Sequence, residues 1–255
     1  MNTLFTGRNT IELGSVDSTN SYANECLKNE NLPEGTVIWT KNQTDGRGQR
    51  GNFWESEPFK NITFSVVVRP SFLSASKQFF LNKIVSLAVA DFVAAILGET
   101  DKKGIVRIKW PNDIYVDDKK IAGILIENSL RNDQIQSSVM GIGININQEK
   151  FSLVASVPVS LKLICKTDFD LEECLSKSCS FLEARYLLLR SGKFNALDEA
   201  YKKMLYRFEE WSNFIVGERK MNARIIDISE EGKLVMETVD KRRLEYGFKE
   251  IVFVI

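Results

Sequence analysis

Residues 44–54 read TDGRGQRGNFW, three glycines and two arginines in one short stretch. Gly46, Gly48 and Gly51 match G-x-G-x-x-G, a spacing used where backbone must approach a phosphate. Arg47 and Arg50 carry planar guanidinium groups that suit two-point contacts with phosphate or carboxylate. A second cluster, KWPND at 109–113, puts Pro111 at the second position of a type I turn, with Asn112 and Asp113 following. Lys120 then opens the apolar run IAGILIE, where an ammonium group is well placed to hold an anionic reacting centre. In a hairpin, Asp113 would face it across the ladder. In a third stretch, GIGININ at 141–147, Ile142, Ile144 and Ile146 point one way along an alternating strand. Gly141, Gly143, Asn145 and Asn147 point the other way, giving a bare and then amide-lined surface that a flat ligand can approach. Each stretch also has a plain structural reading: a solvated loop, a hairpin turn with a surface ion pair, and a close strand–helix crossing.

Context narrows these readings. A Rossmann turn needs its glycines to open a helix; here NFWESEPFKN follows, with Pro58 inside it, and then a strand. A kinase loop needs an H-R-D partner and a Walker loop needs G-K-[ST], and neither is present. Histidine is absent altogether, which removes Ser-His-Asp and Cys-His hydrolases, His-ligated zinc and any His general base. Lys+Arg 34 balances Asp+Glu 34, so any anion site is local. The four cysteines form no C-x-x-C pair and read as reduced thiols. One tension remains: Lys120 and Gly123 have opposite parity, so a straight strand cannot aim both at one ligand. Either Lys120 belongs to the preceding DDK turn or the strand bulges.

The elements that must position these residues follow from pattern. STNSYANECLKN (18–29) predicts a helix capped by Ser18 or Thr19. TVIWTK (36–41) and NITFSVVV (61–68) predict strands on either side of the glycine loop, and residues 74–98 a long apolar helix. Strand-like runs occupy 104–110, 120–127 and 134–146, the first two joined by PNDIYVDDK, with helical patterns at 170–190 and 194–208. From Val216 short alternating strands predict a small β-barrel appended to an α+β domain, a division into 1–214 and 215–255. MNTLFTGRNTIELG has no apolar leader and no stretch approaches membrane-span length, so the expectation is a cytoplasmic protein with no membrane partner.

Taken together, DSTN (17–20), NQTDGRGQRGNFW (42–54), KWPND, KKIAGILIE (119–127), GIGIN (141–145) and the terminal β-region resemble the biotin–protein ligase (biotin–[acetyl-CoA-carboxylase] ligase) family over nearly the whole chain. The resemblance implies a class II synthetase-like mixed-sheet domain flanked by helices, with a small SH3-like barrel after it. It implies condensation of biotin with ATP, usually with Mg²⁺, to biotinyl-5′-AMP. Transfer to a lysine of the biotin carboxyl carrier domain of a biotin-dependent carboxylase follows. Lys120, Arg47 and Asp113 would be catalytic. Ser18, Thr19, Asn20, Gln43, Gly46, Arg47, Lys120, Gly123, Gly141 and Gly143 would hold biotin. Arg47, Gln49, Arg50, Trp54, Asn112, Lys120 and Asn145 would contact ATP; no side chain is assigned as a metal ligand. Biotin's carboxylate is ionised at neutral pH, so its activation needs no general base and the lack of histidine costs nothing.

The chain departs from the family where Gln49 and Asn52 replace arginines of the loop, and where Val254 stands near an arginine that some members use to reach ATP. Some members carry an N-terminal DNA-binding domain. This chain begins with the catalytic pattern, so the expectation is a ligase without repressor function or DNA binding, monomeric or homodimeric. Lipoate ligases and octanoyltransferases share the fold, but the transferases rely on a cysteine and none lies in these motifs. A non-catalytic biotin- or nucleotide-binding regulator is the other alternative, and the intact Lys120 speaks against it.

Overall fold

Every residue of ITFSVVV, 62–68, is buried, which marks a strand covered on both faces. In the computed structural model, which describes residues 2–29, 32–152 and 157–254, this strand lies inside a mixed sheet. The strands are β1 (Thr10–Leu13), β2 (Val37–Thr40), β3 (Ile62–Val68), β4 (Val106–Lys109), β5 (Asp113–Val116), β6 (Lys119–Arg131) and β7 (Gln134–Ile144). Their order is β1-β2-β3-β7-β6-β5-β4, with β1 and β2 parallel and the other neighbours antiparallel. Helix α1 (Thr19–Asn29) covers one face, setting Ala23 against Ile38, Val67 and Val139. The other face carries α2 (Phe79–Glu99), α4 (Leu171–Arg190) and α5 (Phe194–Met204), after the short α3 (Leu161–Cys165).

Helix α2 is apolar around most of its circumference, as a helix enclosed by protein must be. By length and composition Ala75–Glu99 matches a membrane span, contrary to the expectation that no stretch does, yet 78% of its apolar window is buried inside the fold. It is the core helix. Strand β5 lies within PNDIYVDDK, which the sequence pattern treated as a connection, and the Trp110–Pro111 bond beside it is cis.

A separate antiparallel sheet follows: β8 (Ser212–Val216), β9 (Arg219–Ile228), β10 (Leu234–Thr238), β11 (Arg243–Tyr246) and β12 (Val252–Phe253), in the order β11-β10-β9-β8-β12. It packs on the KWPND hairpin. Trp110 Nε1 donates to the Gly232 carbonyl at 3.0 Å, and the Phe248 ring meets the Trp110 indole edge-on.

Buried Glu183 of α4 fixes the N-terminal segment by accepting the backbone N–H groups of Leu4, Phe5 and Thr6. Burial alone would raise its pKa, but the backbone donors outweigh it and the group lies below its usual value. A depressed carboxylate contributes stability above its unfolded pKa and loses it as pH falls through the folded pKa. Glu183→Gln is expected to destabilise the protein by about 2 kcal/mol at neutral pH. In urea titrations the gap from wild type should shrink as pH drops below the ordinary glutamate range, and a constant gap would contradict this origin.

Candidate functional site

Strand register lays the site out in rows on the face covered by α1. Lys109, Asp113, Gly123, Gly143 and Thr63 are successive cross-strand partners. Leu125, Gly141 and Ser65 form the next row, and Glu127, Val139 and Val67 the one after. Alternation alone would turn Lys120 away from this face. The β5–β6 register shifts instead, pairing Ile114 with Ala122 but Tyr115 with Lys120, so that Ile121 is an extra residue. This bulge restores Lys120 to the face of Gly123 and resolves the parity conflict. Asp113 consequently lies opposite Gly123, not opposite Lys120, and reaches Lys120 diagonally with its Oδ1 2.7 Å from Nζ.

A cleft of about 790 Å³ opens over these rows. Every residue assigned from the sequence lines it except Gly46 and Asn145, with the Arg50 side chain lying outside the described residues. Strand β7 ends at Ile144, so alternation no longer governs Asn145. Its Nδ2 donates to the Val159 carbonyl at 3.0 Å, which makes Asn145 a clamp on the following segment and not a cleft residue. Gly46 sits behind the loop: a Cβ there would lie 2.2 Å from the Trp54 carbonyl oxygen. The Trp54 N–H donates back to the Gly46 carbonyl at 2.8 Å, closing the base of the loop.

Trp54 rests on the glycine pair itself. A Cβ on Gly143 would come within 2.4 Å of its indole and one on Gly123 within 3.0 Å. The resemblance assigned Trp54 to ATP and the glycines to biotin, whereas here indole and glycines form one surface. Trp54 Nε1 and Gln49 Oε1 are buried with no hydrogen-bond partner, a donor and an acceptor held ready beside the cleft.

The DSTN turn is braced from below. Gln43 Oε1 accepts from the Thr19 N–H at 3.0 Å, and Ser65 Oγ lies 2.8 Å from Thr19 Oγ1 and 2.6 Å from Asn20 Oδ1. Asn20 Nδ2 donates to the Leu125 carbonyl and to Glu127 Oε2. Asn20 thus spends its amide on protein, and its Oδ1 stands where a Gly141 Cβ would be. Asn112 likewise donates to the Ile124 carbonyl at 2.5 Å, locking the hairpin.

Lys120 and Arg47 each have a carboxylate partner, Lys120 with Asp113 and Arg47 with Glu127 at 3.0 Å. Lys109, which the motif contained but the sequence reading did not single out, lines the cleft under the second sheet. Its ammonium lies 5.4 Å from the Phe253 ring centroid and 3.3 Å from Tyr115 Oη. Burial lowers its pKa, with Lys120 and Arg207 acting in the same direction and Asp113 opposing. Its pairing with Asp113 places it on the cleft face, but that register is not visible before the sheet is assembled. From the second sheet, Phe248, Lys249, Phe253 and Val254 close the cleft, and the Val254 carbonyl accepts from Arg207 at 2.7 Å. Among the described residues no three metal-ligating side chains cluster.

Residues 13–145 match the model of the Biotin/lipoate A/B protein ligase family. The chain is 30% identical over 246 residues to the bifunctional ligase/repressor BirA of Bacillus subtilis, covering 91% of this chain and 70% of that protein. It is 34% identical over 136 residues to the biotin–[acetyl-CoA-carboxylase] ligase of Paracoccus denitrificans, covering 52% of this chain and 53% of that one. Among solved structures, the biotin protein ligase from Aquifex aeolicus in complex with biotin and ATP superposes with a TM-score of 0.77. The two are 27% identical, and the match covers 97% of this chain and 99% of that one.

Proposed function

This chain belongs to the biotin/lipoate A/B protein ligase family, and from that premise we propose that it activates biotin with ATP and transfers it to a carrier-domain lysine. The observation that carries the reading is the bulge at Ile121, which brings Lys120 onto the face of the Gly123–Gly143 pair. The glycines let the Trp54 indole lie flat on the sheet as a floor for a flat bicyclic ring, while the lysine meets a carboxylate at its end. The chain through Trp211 serves as the catalytic domain and the part from Ser212 as the cap, a boundary that keeps β8 whole where a division into 1–214 and 215–255 would cut it.

In the first step a biotin carboxylate oxygen attacks the α-phosphorus, the α–β bridging bond breaks, and pyrophosphate leaves. The residues must bring two anions together and offset the growing charge, which suits Lys120, while Arg47, held by Glu127 and Ser21 at the α1 end, keeps the glycine loop over the ligands. Loop 45–53 keeps water from the mixed anhydride. In the second step the carrier amine attacks the acyl carbon and AMP leaves with the bonding pair. Asp113, once Lys120 is drawn to the ligand, accepts the proton that the amine sheds.

Incubating the protein with biotin, MgATP and a biotin carboxyl carrier domain should add one biotinyl group by mass. Substituting the carrier's acceptor lysine with arginine should abolish the addition. An unmodified carrier with the lysine intact would overturn the proposal.

A further inference from the structure

Glu127 has no part in the site as assigned so far, yet three elements meet at its carboxylate. Oε2 accepts from Asn20 Nδ2 at 2.9 Å and from Asn24 Nδ2 at 3.0 Å, both on α1. Oε1 lies 3.0 Å from Arg47 of the glycine loop. Arg47 also donates to Ser21 Oγ at 3.2 Å, so its guanidinium is held at the α1 end of the cleft. The parity that puts Gly123 on the cleft face continues through Leu125 to Glu127. The row therefore has a lysine at one end and a carboxylate at the other.

We propose that Glu127 is a positioning residue for biotin binding, pinning Arg47 and so holding the glycine loop against α1 while fixing the Asn20 amide. The inference rests on the biotin reading of the cleft. At the base of the loop the Asp45 N–H donates to the Asp17 carbonyl. Further out, Gly48 N–H to the Asn52 carbonyl closes the loop only on itself. Arg47–Glu127 is its one ion pair to the sheet among the described residues. Asn20 has a single productive orientation because Ser65 Oγ donates to its Oδ1, and Glu127 supplies the acceptor that orientation needs.

Glu127→Gln separates the two jobs. The remaining carbonyl still accepts from Asn20 and Asn24, while the new amide presents donors to the Arg47 guanidinium and the pairing is lost. Hydrogen exchange of residues 45–53, read by mass spectrometry on the enzyme without substrates, should speed up in Glu127→Gln. Arg47→Gln and the double variant should speed up to the same extent, as expected for partners in one interaction. The KM for biotin should rise roughly tenfold in Glu127→Gln, as for a lost charge-assisted bond. Its kcat at saturating substrates should stay within about threefold and its Tm near wild type, since a partly exposed pair adds little stability. Wild-type exchange in Glu127→Gln, additive exchange in the double variant, or an unchanged biotin KM would overturn the proposal. Failure of the wild type to use biotin would count against the ligase reading instead, because the exchange measurement involves no substrate.

Discussion

Alanine at Lys120 is expected to slow adenylate formation by roughly 100- to 1000-fold, the loss typical of removing one preorganised donor from developing charge. The bulge at Ile121 turns Lys120 onto the cleft face, and no neighbour substitutes for it. Lys109 is close, but burial beneath the second sheet lowers its pKa and its ammonium is directed at Tyr115 and Phe253. Arg47 is held at the far end of the rows by Glu127 and Ser21. The fold should survive the change. Both members of the Lys120–Asp113 pair are 23% exposed, and such pairs contribute at most about 1 kcal/mol. Single-turnover quench with labelled ATP reads the rate, and a melting curve controls for folding. A near-normal rate in a folded Lys120→Ala protein would place the activating cation elsewhere.

Gly141→Ala is expected to raise the KM for biotin more than tenfold and to destabilise the fold by about 1–3 kcal/mol, the usual cost of overpacking a filled site. An added Cβ would stand 2.2 Å from Asn20 Oδ1 and 2.8 Å from its Cγ. Asn20 cannot swing aside cheaply. It is 3% exposed, it faces Ser65, and it donates to Leu125 and Glu127. Moving it breaks the brace beneath the DSTN turn and loosens the loop anchor at once. Gly14→Ala, where the new carbon meets nothing within 4 Å, is the silent control. Biotin titration by calorimetry and urea unfolding separate the two effects. Wild-type affinity in Gly141→Ala would mean that the Asn20 network does not shape the pocket.

Much of the site is written locally. The glycine spacing of TDGRGQRGNFW, the placement of KWPND and the alternation in GIGIN all depend on near neighbours. Most of the residues they carry do converge on one cleft. Long apolar elements such as α2 and β3 were equally legible, because burial on all sides leaves an unbroken apolar run. What escaped was whatever register decides. Strand β5 is four residues flanked by polar turns, too short to carry a period. The parity of Lys120 announced a conflict, but only pairing with β5 shows that a bulge settles it. Asn145 was placed on the cleft face by extending alternation one residue past the end of β7. Asn20 and Asn112 do line the cleft, but the sequence did not show that their amide nitrogens also brace partners more than ten positions away. Glu127 gave no sign, since a terminal acid on an apolar strand is ordinarily solvated, and its partners come from helix α1 and the glycine loop.

The central claim is that this cleft joins biotin to AMP. Exchange of labelled pyrophosphate into ATP tests it most directly, because the exchange requires reversible formation of an acyl-adenylate and no carrier protein. Exchange that depends on biotin and does not occur with lipoate is the predicted result. Exchange with lipoate and none with biotin would contradict it.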